Sequence, residues 1–245
     1  HWAGFQNKQQ KQLLDKKTSH STPKYSTHKP FIMGHTMILY GHHESGHSFK
    51  IRTFLLMANI PHEYRWIDLT LPRKQRPIEF QTASKFGEVP VLIDEKNTLC
   101  QSNSILMHLA QKHHTLCGAP NEWHTVTEWL SWEANRIGFS LPNLRFNMRW
   151  NPQPEAIMAY LRERVLNDLK ILDRFLKDTE YLAPSGLTIA DISCSAYLFW
   201  LNQVDLDVAD YPNIQRWLLK IQTTPGWQSP EMAMKQKDSN TQPKS

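Results

Sequence analysis

The chain has 245 residues, 40% hydrophobic and 11% aromatic, enough to bury the core of one large domain or two small ones. Its formal charge of +5 suggests a nucleic-acid or membrane partner until it is located: residues 1–36 hold six lysines against one aspartate, and the other 22 basic and 22 acidic residues cancel. The remainder is electrically balanced, and no apolar run approaches the roughly 20 residues that span a bilayer, so neither partner class is indicated.

Residues 1–36 are rich in Lys, Gln, Ser, Thr and His with only scattered apolar side chains, a composition that cannot offset the entropy of ordering, so a disordered basic tail is expected. The sequence opens on His1, and Met33 and Met37 are candidate starts. From Met37 the pattern predicts a strand (Met37 to Tyr40), a loop, a helix (about His47 to Asn59) and a strand (about His62 to Asp68), a βαβ unit. A polar loop flanked by prolines, Leu71 to Pro77, leads to a helical turn around Glu79 to Ala83. Then FGEVPVLID (Phe86 to Asp94) and LCQSNSILMHLA (Leu99 to Ala110) read as a strand hairpin running into an amphipathic helix. Pro90 is tolerated there only at a strand start, an edge or a bulge, and Val89-Pro90 is a candidate cis bond. Ser102 is expected to be the N-cap ahead of Ile105, Leu106 and Leu109, at a helix terminus that attracts a carboxylate.

Residues 113–121, with Cys117, Gly118 and Pro120, read as a linker, and residues 122–230 as wholly helical. Trp123 to Ile137 predicts one long helix, with Pro142, Pro152 and Pro154 breaking the chain before the next. Ile157, Leu161, Val165, Leu169, Leu172 and Leu176 recur at steps of three and four, which makes one apolar helical face. Leu187 to Ile192 (LTIADI) reads as a capping box between Thr188 and Asp191 with a Leu187–Ile192 staple. Residues 231–245 are expected to be a flexible tail. Cys100, Cys117 and Cys194 are an odd number without close pairing, which points to a reducing compartment, the cytosol by default, and away from a disulfide framework.

The hairpin and helix of Phe86 to Ala110, followed by the capping box at Thr188, resemble the cytosolic glutathione transferases, in particular serine-type, bacterial-like members, over roughly residues 37–230. The resemblance implies an α/β thioredoxin-like domain at 37–112 followed by an all-helical domain, a homodimer, and glutathione as co-substrate without a metal. In that family the valine before the cis-proline pairs its backbone with the cysteinyl residue of glutathione, and a Gln-Ser pair holds the γ-glutamyl end. The matching positions are Val89, Pro90, Gln101 and Ser102. Gln75 and Arg76 align with contacts to the glycyl carboxylate, and Glu88, next to Val89, is a further residue expected to bind glutathione.

A free thiol has a pKa of about 8.5, so the enzyme must favour the reactive thiolate. A hydroxyl hydrogen bond to the charged sulfur contributes about 1.5–3 kcal/mol and a helix N-terminus about 0.3–1, together one to three pKa units. By the resemblance Ser45 supplies that hydroxyl; Ser48 is the runner-up, since a hydroxyl near a helix start commonly serves as a structural cap. No cysteine occupies residues 41–48, which argues against chemistry through a protein thiol there. His42, His43 and His47 invite a metal only if a third ligand and an outer shell exist, and none is expected. Trp132, Arg136 and Phe139 are expected to line the pocket for a small hydrophobic electrophile, with Arg136 as its cationic corner. Conjugation and peroxide reduction would start from the same thiolate; the alternative is a non-enzymatic module of the same fold that makes protein contacts.

Overall fold

The computed structural model describes residues 37–235, so the expected tail at 1–36 and residues 236–245 lie outside the described residues. Side chains alternate along the first strand, β1 (Met37–Gly41): Met37 and Leu39 enter the main core, Ile38 and Tyr40 a smaller one on the other face. β1 pairs in parallel with β2 (His62–Trp66) and antiparallel with β3 (Val91–Asp94), which pairs with β4 (Asn97–Cys100), giving the order β2-β1-β3-β4. Helices α1 (Gly46–Met57) and α3 (Ser102–His113) bury Phe49, Phe54, Ile105 and Leu106 in the main core. Between them in sequence, α2 (Ile78–Ala83) buries Phe80, whose ring meets Tyr40 at 5.6 Å in the smaller core. This is the expected thioredoxin-like domain, and the Val89-Pro90 bond is cis. One detail differs: the N-cap of α3 is Gln101, at φ 70° and ψ 115°, and Ser102 is the first helical residue, because the chain turns its corner one residue earlier.

The helical domain comprises α4 (Trp123–Asn135), α5 (Ile137–Arg149), α6 (Glu155–Phe175), α7 (Ile189–Ser195), a 3-10 segment (Ala196–Val204), α8 (Pro212–Gln222) and α9 (Pro230–Ala233). The single helix predicted through Ile137 is broken at Arg136, whose φ of −120° and ψ of −106° are non-helical. Pro142, expected between helices, lies inside α5. A proline there forfeits one intrahelical bond, and the packing of α5 through Leu141 and Leu144 outweighs it. The C-terminal segment also differs from expectation, since Ala233 and Met234 are buried and the Ala233 carbonyl accepts Arg52 Nε at 3.1 Å.

The capping box is present. Thr188 Oγ1 accepts the Ala190 amide at 3.2 Å, and the Thr188 amide donates to Asp191 Oδ2 at 2.8 Å. Asp191 Oδ1 accepts both the Leu182 amide and Trp217 Nε1, each at 2.9 Å, so one buried carboxyl ties α7 to α8 and to the preceding loop. Burial pushes that carboxyl up to about 6 despite its donors. The two domains share a core: Phe49 of α1 meets Phe199 and Trp200 of the 3-10 segment edge-on at 6.0 and 5.9 Å.

Candidate active site

A cleft of about 1240 Å³ opens between the domains. Its thioredoxin-like side is made by the loop from β1 to α1, the cis-proline bend and the corner from β4 into α3; its other wall is α5. The loop brings Ser45 to the cleft as the N-cap of α1, where Oγ accepts the Ser48 amide at 3.1 Å. Accepting that N–H leaves the hydroxyl proton free to donate. Ser48 is fully buried, accepts the His42 amide at 3.4 Å and lies outside the cleft lining. The capping role foreseen for Ser48 thus belongs to Ser45, which is also the serine with access to a ligand.

Around Ser45 the loop is fixed from several sides. His42 Nδ1 accepts the Glu44 amide at 3.1 Å, which puts the ring proton on Nε2. Burial, with His43 beside it, lowers His42 to about 4, so the ring is neutral at pH 7. Arg145 of α5, buried, donates to the Glu44 carbonyl at 2.8 Å and is ion-paired to the Glu44 carboxylate, while its Nε holds Gln203 at 2.7 Å. At the start of α1, a Cβ on Gly46 would stand 2.6 Å from the Tyr197 ring, so only glycine allows this phenol into the cleft wall. Burial pushes Tyr197 up to about 12, which keeps it a neutral donor.

The corner carrying Gln101 and Ser102 stands over a buried polar floor. Lys50 of α1 and Glu133 of α4 pair at 2.6 Å, 0% and 2% exposed, and Lys50 Nζ also reaches Ser102 Oγ at 3.5 Å. Asn103 donates to Glu133 at 2.9 Å, and His47 Nδ1 lies 3.5 Å from Ser102 Oγ. Burial would raise Glu133, but Lys50, then His47 and Asn103, outweigh it and hold the carboxyl below its ordinary value. Gly138 is required here, because a Cβ would collide with the Glu133 carboxylate. Burial, then the Lys50 ammonium, lowers His47 to about 4.

Val89, Pro90 and Glu88 line the cleft, and so does Arg76. Its guanidinium, however, donates to the carbonyls of Leu69, Leu71 and Gly87, so it organises the loop. Gln75 is exposed in a 3-10 turn outside the lining. Arg73, which sequence reasoning passed over, lines the cleft beside Gly87, with no carboxylate within ion-pair distance among the described residues.

Of the three residues expected around the second substrate, Phe139 faces the cleft and two do not. The ring of Trp132 packs edge-on against Trp129 at 5.3 Å, and Arg136 Nε binds the buried Asp168 at 2.9 Å. After the break at Arg136 the chain continues as α5: α4 reaches the cleft only through Glu133 and Ala134, and α5 carries most of that wall. The cationic corner is therefore Arg145 and Arg149, with Phe146 and Trp150 beside them. Spacing of Phe139, Phe146 and Trp150 was the available signal, masked by Pro142. Among the described residues no three His, Cys, Asp or Glu side chains converge to hold a metal ion.

Comparison with known proteins agrees with this geometry. The sequence matches the Glutathione S-transferase N-terminal domain over residues 39–118 and the Glutathione S-transferase C-terminal domain over 128–225. It is similar to the Disulfide-bond oxidoreductase YfcG of Escherichia coli K12, 26% identical over 193 residues that cover 74% of this chain and 87% of the relative. It is likewise similar to Glutathione S-transferase 1 of Schizosaccharomyces pombe, 26% identical over 182 residues, 70% of this chain and 77% of the relative. A solved glutathione S-transferase from Pseudomonas fluorescens superposes with a TM-score of 0.72 at 27% identity, over 80% of this chain and 99% of its own. With both domains matched in order and the cleft formed where they meet, the chain belongs to the glutathione S-transferase family.

Proposed function

We propose that this protein is a cytoplasmic, homodimeric glutathione transferase in which Ser45 donates a hydrogen bond to the thiolate of bound glutathione. One juxtaposition carries the proposal: the Ser45 hydroxyl, the Val89-Pro90 bend and the Gln101-Ser102 corner line a single cleft. The cysteinyl residue lies along Val89, the γ-glutamyl end meets Ser102 above the Lys50–Glu133 pair, and Arg73 takes the glycyl carboxylate. The thiolate then attacks a small hydrophobic electrophile, in detoxifying conjugation or in reduction of a peroxide. Because residues 41–48 contain no cysteine, any exchange with a disulfide, the activity named for the Escherichia coli relative, would run through the sulfur of glutathione.

The test is calorimetric titration of the full chain with glutathione, followed by ultraviolet thiolate absorbance of the complex across pH. The bound thiol is expected about one to three pKa units below its free value. Ser45→Ala should leave glutathione affinity within a few-fold and cut turnover by about one to two orders of magnitude. An unchanged rate would remove Ser45 from the mechanism, and no binding at millimolar glutathione would point to the non-enzymatic contact module instead. Light scattering should give twice 28.7 kDa for the dimer.

A further inference from the structure

Helix α5 presents a row of rings to the cleft that the core does not use. Phe139, Phe146 and Trp150 are 48%, 50% and 46% exposed; the spacing of seven puts Phe139 and Phe146 on one side of α5, and Trp150, the residue that caps its end, lies beside Phe146 with ring centroids 5.8 Å apart. On the thioredoxin-like side, His42 and Trp66 lie nearly parallel, centroids 5.7 Å apart at 28°, with His43 stacked on His42 at 4.4 Å. Rings on both sides of a cleft fit a flat aromatic body.

At the end of the α5 row stands a cation that is not fully used. The Arg149 guanidinium lies 4.6 Å over the Trp150 ring, and its nearest carboxylate oxygen, Glu44 Oε1, is 3.7 Å away. The same carboxylate already pairs with buried Arg145, so two arginines share one anion. The corner therefore carries one cation in excess, and Arg149 is its exposed member, with N–H groups to spare.

We infer that the second-substrate region selects flat aromatic electrophiles bearing a carboxylate, the ring held between α5 and His42 and the anion on Arg149. The reaction rests on the transferase proposal above, but the binding preference does not. For an aryl chloride the glutathione sulfur bonds to the ring carbon and the carbon–chlorine bond breaks, its electron pair leaving as chloride; the thiol proton has already gone to solvent, and no oxidant is needed.

The experiment compares a matched pair of ligands. Quenching of tryptophan fluorescence in the full chain reports binding of the unreactive dinitrobenzoate and dinitrobenzene, and turnover with glutathione is measured for chlorodinitrobenzoate and chlorodinitrobenzene. The carboxylate should bind about ten-fold tighter than its neutral partner, a difference of about 1.4 kcal/mol. That ratio should fall close to one in Arg149→Gln and largely persist in Arg149→Lys, which keeps the charge while losing the fork, and it should shrink as salt rises. A ratio near one in the parent, or a ratio that Arg149→Gln leaves intact, would overturn the assignment. Preference in binding without turnover of either chloride would leave the anion site standing and remove the transferase proposal, so the two failures are distinct.

Discussion

Ser45 and Ser48 are three residues apart in one helical turn, and only solvent access and direction separate their roles. One accepts an amide and still has a proton to give to the cleft; the other is sealed beneath the loop. His47, next to both, has a value of about 4 in the folded protein against an ordinary 6.5, through burial and then the Lys50 ammonium. The sign follows from linkage: the unfolded chain binds the proton more readily, so the contribution to stability is complete above pH 6.5 and is lost as pH falls through 4. Between pH 7 and pH 5 it should remove about 1–2 kcal/mol. His42 slopes the same way, and Asp191, raised to about 6, slopes oppositely, its contribution present below 3.8 and lost as pH rises through 6. Urea unfolding of the parent and His47→Gln at the two pH values isolates the single group. Parallel losses in both proteins would refute the assignment.

At the scale of elements, the segment most completely legible in the sequence was the start of α7, because a capping box is a local pattern whose partners are three residues apart. Thr188→Ala should cost about 0.5–2 kcal/mol in denaturant unfolding. The cost should fall toward the upper end, because Thr188 is fully buried and its hydroxyl also contacts Asp191 Oδ2 at 3.1 Å. A variant as stable as the parent would show that the remaining three donors to Asp191 suffice. The break between α4 and α5 was not legible. Apolar periodicity runs through Arg136 without interruption, and the turn there is anchored by Asp168, a residue 32 positions away. Local rules likewise read Pro142 as a stop, whereas packing kept it within a helix and thereby put Phe146, Arg149 and Trp150 on the cleft.

Among the described residues the two domains are joined by a shared core, by the pair of Arg145 with Glu44 at the cleft and by the fully buried pair of Lys50 with Glu133. Removing one member leaves the other desolvated and unpaired, so Lys50→Met should destabilise by about 3–5 kcal/mol, while the double variant Lys50→Met/Glu133→Gln should recover most of that loss. Equal stability of the single and double variants in urea titrations would mean that the pair does not act as a unit. No sequence rule links these residues, which are 83 positions apart. What the sequence by itself determined was whatever depends on neighbours within a few residues: the strand and helix order through Ala110, the cis-proline bend, the Gln101-Ser102 corner and the capping box. Only the tertiary structure decided which serine faces the cleft, that Arg76 binds its own loop while Arg73 is open to a ligand, and that Arg145 and Arg149 replace Arg136 as the cationic corner. The physical reason is one of range: turns, caps and periodicity act along the chain, whereas burial and charge pairing are settled by segments that meet only after folding.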